Sequence, residues 1–222
     1  SGSSNANLAV LIGGNNNKII AGTSAYGNVI MGASNTVTST TGITIYNRIL
    51  GNDNTITDAY YNNILGISNN ISSSGAYSAY YNDIIGYSNS ISGTTSNAYH
   101  NKIIGVNNTI SNGGYNNTIG RYCNNGGYSG VLLLGDGDSS TLTATASNQF
   151  NSRFSGGYRF MQNGSTQWMA IAPTTGYVTI NNIPTASSSV NLLTTNGGVI
   201  ETRTIASLGF LTTSTAATTY VP

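Results

Sequence analysis

The sequence predicts an all-β chain: a parallel β-solenoid of about eight short coils, followed by a β-rich connector. Three observations predict it. A unit of 15 to 20 residues recurs eight times, aligned on Gly14, Gly32, Gly51, Gly66, Gly86, Gly105, Gly120 and Gly135. Its apolar residues are mostly β-branched and show no 3.6-residue period, which favours strands over helices. A unit this short cannot bury its own apolar face, whereas stacked copies can.

Each position of the unit has a physical reading. Four residues before the glycine stands Asn (Asn28, Asn47, Asn62, Asn82, Asn101, Asn116), and three after it stands Asn again (Asn17, Asn35, Asn54, Asn69, Asn89, Asn108). Coils stacked at about 4.8 Å, roughly 40 Å for eight, turn such positions into columns. Neutral amides can hydrogen-bond along a column, where like charges would repel. Two before the glycine come Ile12, Ile30, Ile49, Ile64, Ile84, Ile103, Thr118 and Leu133, and five after it Ile19, Val37, Ile56, Ile71, Ile91 and Ile110. These two columns are assigned to the interior. Each coil is read as two short strands, one ending at the glycine and one centred on the second Asn. The last two copies carry Asn125 and Ser140 at the plus-five position, so the array is expected to end there.

The residue directly before the glycine is also apolar. Adjacent strand residues face opposite ways, so Met31, Leu50, Leu65, Ile85, Ile104, Ile119 and Leu134 form an outward stripe. A stripe of several hundred Å² marks an interaction surface. Either other copies of the chain cover it, as an oligomer interface, or residues 136–222 fold back over it.

Length variation falls in one place. Between the plus-five residue and the next Asn position lie 8, 9, 5, 10, 9, 5 and 5 residues, so 15 residues make the minimal coil and the rest bulges from one edge. A ring precedes the Asn in Tyr46, Tyr61, Tyr81, His100 and Tyr115, which reads as edge packing. The further tyrosines Tyr26, Tyr60, Tyr77, Tyr80 and Tyr99, assigned to the bulges, either pack likewise or offer faces to a glycan or receptor.

Composition narrows the partners. Of 222 residues 38% are hydrophobic and only 6% charged, with a net charge of +1. That balance argues against disorder and against the electrostatic attraction that non-specific nucleic-acid binding needs. No apolar run approaches the roughly 20 residues of a membrane-spanning helix, so no membrane insertion is expected. The first residues, SGSSNANLAV, have neither Met nor a basic signal-peptide start, as in a fragment or processed chain.

Downstream of the repeats, NQFNSRFSGGYRFMQNGSTQWMAI carries alternating strands around Asn163-Gly164, a hairpin signal, and NLLTTNGGVIETRTI a second around Asn196-Gly198. No structure is assigned to 207–222. The chain is divided into a repeat domain at 1–140, a hairpin connector at 141–184 and a β-rich stem at 185–222.

The pattern N-x-I-I-G-x-x-N-x-I, over roughly residues 9–135, resembles the head repeat of trimeric autotransporter adhesins. SNQFNSRFSGGYRF followed by GYVTINNIP looks like connector modules of phage tail fibres. The resemblance implies a left-handed β-roll, three chains packed about a threefold axis and an intertwined connector. It implies an extracellular fibre segment on a phage tail, virion or cell surface, binding a host-surface glycan or protein; from the residues themselves no cofactor or metal is expected. A self-assembling filament subunit, joined end to end, is the alternative.

Catalytic readings are weaker. The acids are Asp53, Asp58, Asp83, Asp136, Asp138 and Glu201, and no pair is evidently set across a groove as glycosidase chemistry requires. Asp136-Gly137-Asp138 has too few oxygen ligands for a calcium loop and reads as a turn. Ile104-Gly105 followed by Ile110 fits the hexad of hexapeptide-repeat acyltransferases. However, only one hexad occurs per coil, and His100 takes the place of a Tyr. An ice-binding solenoid would need a flat Thr array, and the Thr are assigned to irregular bulges. Cys123 replaces an Asn and reads as a small buried residue. The expectation is a structural protein, not an enzyme.

Overall fold

The computed structural model describes residues 10–11, 14–21, 24–40, 43–74, 76–137, 140–161, 167–171, 178–180, 191–196 and 199–204. These residues contain strands and no helix. The chain divides into two compact units, Ser1–Gly157 and Tyr158–Pro222.

The first unit is a parallel β-solenoid of about seven turns. Its largest sheet has nine strands and passes through the repeat glycines. The strands run from Val10–Leu11 through Val29–Ala33, Arg48–Asn52, Asn63–Ile67, Asp83–Tyr87, Lys102–Val106, Asn117–Arg121 and Leu132–Asp136 to Phe150–Arg153. Register is strict: Leu50 stands beside Leu65, Leu65 beside Ile85, and Gly51 beside Gly66. An eight-stranded second sheet includes Thr36–Ser39, Thr55–Thr57, Asn70–Ser73, Ser90–Gly93 and Thr109–Ser111.

Two details correct the sequence reading of a coil. Among the described residues, six of the eight coils have three strands, because short pieces such as Ala59–Tyr60, Ala79–Tyr80 and Ala98–Tyr99 pair into a third wall. The second Asn is not a strand centre. Asn69 lies just before the strand Asn70–Ser73, at the corner between walls.

The corners explain the asparagines. The residue before each corner Asn takes a left-handed conformation, with φ of 57° at Ser68 and 58° at Tyr61. The amide then turns inward. Asn82 Oδ1 accepts from both the main-chain N and Nδ2 of Asn101, at 3.0 Å each, while Asn82 Nδ2 donates to Asn62 Oδ1 at 3.0 Å and to Ala98 O at 2.9 Å. The other corner repeats this: Asn89 Nδ2 donates to Asn69 Oδ1 and to Gly105 O. Asp lacks the donor and Gln carries an extra methylene, so the column selects Asn.

The glycine column has an equally local cause. Gly51, Gly66, Gly86 and Gly105 have φ between 141° and 146°, and a Cβ on each would lie 1.8 Å from the carbonyl oxygen of the next coil's glycine. Only glycine permits that approach.

The core is a narrow strip. Ile30, Ile49, Ile64, Ile84 and Ile103 from the first wall meet Val37, Ile56, Ile71, Ile91 and Ile110 from the second, with Ala59, Ala79 and Ala98 closing the third. Each buried Ile contributes about 2 kcal/mol of apolar transfer energy. The Ile columns therefore face inward as expected. They stop at Thr118, beyond which Cys123, Val131, Leu133 and Ala144 form a second small cluster.

The insertions lie between the second and third walls, after Ser73 and Gly93, as the spacing indicated. The stack runs on past the eighth glycine. Leu142–Thr143 pairs with Cys123–Asn124, and Phe150–Arg153 with Leu132–Asp136. Parallel pairing needs only main chain, so a rung can form without the motif.

The second unit is antiparallel. Tyr158–Met161, Gln167–Ile171 and Val178–Ile180 form a three-stranded sheet, and Asn191–Asn196 pairs with Val199–Thr204. These strands flank both hairpin signals. Asn163, Gly164, Gly197, Gly198 and the segment 207–222 lie outside the described residues, as do Ile12, Gly13 and Asp138.

Candidate assembly face

The outward face of the glycine sheet carries three side-chain columns. At its centre is the residue before the glycine. Met31, Leu50, Leu65, Ile85 and Ile119 are 37 to 47% exposed, and Ile104 and Leu134 half-buried. All seven stand in one line, in register from rung to rung.

A second column, apolar at Ala33 and from Ile67 to Val106 and ending in Arg121 and Asp136, was missed in the sequence. Two positions beyond the stripe come Ala33, Asn52, Ile67, Tyr87 and Val106, with Ile67 and Tyr87 exposed. The signal was the period of two: if the residue before glycine faces out, so does the one after it. On the other side run Arg48, Asn63, Asp83 and Lys102, where Asn63 Nδ2 donates to Asp83 Oδ1 at 2.8 Å. Between these and Leu50, Leu65 and Ile85 lies a shallow groove of about 290 Å³.

Residues 140–157 do not roof this face. Phe150–Arg153 extends the sheet along the stacking direction, edge to edge with Leu132–Asp136.

The aromatic corner is the second feature. Tyr46, Tyr61, Tyr81, His100 and Tyr115 stack face to face, with centroids 5.0 to 5.3 Å apart and planes within 17°. All five have φ between 52° and 60°, an uncommon conformation for Tyr, and stacking offsets its cost. His100 is thus a member of the ring column. Tyr60, Tyr80 and Tyr99 do not lie in bulges; they stand on the third wall and stack with each other at 5.2 and 5.5 Å. Tyr26 also belongs to a strand, Ser24–Tyr26, and meets Tyr46 edge-on. Rings above and below cover the faces of Tyr80, and the Tyr81 ring meets it in a T-shaped contact at 5.6 Å. Tyr77 alone of the five is an exposed loop residue.

The phenols of Tyr61 and Tyr80 are pushed above their ordinary value, by desolvation first and by neighbouring tyrosines second. Burial likewise raises the Cys123 thiol, against a smaller opposing pull from Arg153.

Among the remaining candidates, Asp58 and Asp136 have side-chain partners. Asp53 is an exposed corner residue with φ of 55°. Asp58 is buried at a different corner, where its carboxylate accepts from the main-chain N of Thr40 at 2.7 Å and from the Thr40 hydroxyl. Asn112 does the same for the loop two coils on, accepting from Thr94, Thr95 and Ser96. Asp136 accepts from the main-chain N of Ser155 and lies 3.9 Å from Arg153. Among the described residues no three His, Cys, Asp or Glu side chains cluster to hold a metal.

The Ser and Thr residues are not confined to irregular bulges. Many stand on the outward face of the second sheet, in two regular columns.

Comparison of the chain with protein-family models, with curated proteins and with solved structures returned no match in any of the three.

Proposed function

We propose that the chain is a structural segment of an extracellular fibre, in which three copies pack through their glycine-sheet faces and project from a phage tail or cell surface. The supporting observation is the exposed apolar stripe from Met31 to Leu134, flanked by Ile67, Tyr87 and Val106. Its residues repeat at the rung spacing of about 4.8 Å. Another copy of the same solenoid carries that repeat over the same length, which makes a second chain the matching partner. Trimers, in place of dimers, follow from the resemblance to β-roll heads. Arg48, Asp83 and Lys102 beside the stripe would set the register between copies, since mispaired like charges cost energy. Dense main-chain pairing makes the rod stiff, and the loop holding Tyr77 is the side open to a host-surface glycan or receptor.

The test is the double variant Leu65→Asp, Ile85→Asp. Both side chains point outward, so the solenoid should persist by circular dichroism while sedimentation reports the single chain. A variant that sediments with the same mass as the parent would contradict this use of the face.

A further inference from the structure

The second sheet presents a different surface. Its outward positions form two columns in register: Thr36, Thr55, Asn70, Ser90 and Thr109 in one, and Thr38, Thr57, Ser72, Ser92 and Ser111 in the other. Nine of these ten residues bear a hydroxyl, none is charged, and all are half-buried, so the side chains stand evenly in the surface. Apart from the contact of Asn70 Nδ2 with Ser72 Oγ at 3.4 Å, these hydroxyls bond no other described protein group. Charge on the rungs from Arg48 to Lys102 is kept instead to the glycine sheet and the corners.

We propose that this face binds ice. Neighbouring hydroxyls are separated by about 4.8 Å across rungs and about 6.6 Å along a strand. The oxygen rows of hexagonal ice repeat at distances of this size in two directions. Hydroxyls free of protein partners can each bond a water, and an ordered water bridge is nearly as favourable as a direct hydrogen bond. Five rungs already held in register by main-chain pairing would order those waters together, without ordering the protein. The Thr methyls beside the hydroxyls at Thr36, Thr38, Thr55, Thr57 and Thr109 offer water no hydrogen bond, so the ordering of water falls to the hydroxyls. A charged polymer finds no counter-charge on these five rungs, Lys18 standing one rung beyond Thr36, and a neutral glycan finds no aromatic platform, because the stacked rings lie on the third wall and its corner.

The face is on another sheet from the apolar stripe, so this inference stands apart from the fibre reading. The experiment measures thermal hysteresis and ice-recrystallisation inhibition by the purified full chain. Two separate variants, Thr57→Tyr and Ser92→Tyr, each place a bulky ring in the middle of the array, and Tyr77→Ser changes only a loop. Activity in the parent and in Tyr77→Ser, lost in whichever array variants keep native circular dichroism, is the expected result. An inactive parent, or natively folded array variants as active as the parent, would overturn the proposal. Neither result changes the sedimentation mass, which tests the fibre reading separately.

Discussion

Gly86 and Thr118 lie two rungs apart in the glycine sheet, and substitution should move stability in opposite directions at the two sites. At Gly86 a Cβ would sit 1.8 Å from Gly105 O, on a backbone with φ of 143°. Gly86→Ala must shift the next coil as well as its own, and should cost at least about 3 kcal/mol. Thr118 interrupts the Ile and Leu column, and its Oγ1 is buried with no hydrogen-bond partner. Thr118→Val removes that hydroxyl at nearly constant volume and should add about 1 kcal/mol. Denaturant midpoints of the two variants against the parent check both signs. The contrast with Asn82 is instructive, since its equally buried amide bonds both neighbouring rungs and the wall beside them.

At the scale of elements, the two ring stacks make stability depend on alkaline pH. Tyr61 and Tyr80 have folded pKa values raised above the ordinary value of about 10. An acid raised on folding adds stability that is fully present below its unfolded pKa and lost as pH rises through the folded one. Stability should therefore hold up to about pH 10 and fall above it, with some phenolate absorbance appearing later than in unfolded chain. Titration of Tyr61 and Tyr80 at the ordinary value, with the fold intact, would contradict the packed ladder. Which elements were legible follows the same physics. The Asn, Ile and Gly columns were readable because each position has one chemical solution repeated through most of the coils. The third wall was not, because a two-residue strand such as Ala59–Tyr60 has no period to detect, and its inward Ala looks like loop composition. That omission put Tyr60, Tyr80 and Tyr99 in the bulges. The hydroxyl array was overlooked for a related reason: Thr36, Thr55, Asn70, Ser90 and Thr109 vary in identity and become one surface only when register is known.

For the whole first unit, the walls divide the work. One outward face is apolar with a charged margin, one is hydroxyl-rich and uncharged from Thr36 to Ser111, and the third carries stacked rings. An association built on the apolar face should survive salt. At about 1 M the Debye length is about 3 Å, which screens Arg48, Asp83 and Lys102 but leaves the Leu and Ile contacts in place. The most direct measurement is the mass of the purified chain by sedimentation equilibrium, in dilute buffer and in about 1 M NaCl. Three copies of the 23.0 kDa chain in both conditions is the predicted result. A natively folded 23.0 kDa monomer, with its stripe open to water, would contradict the proposed assembly.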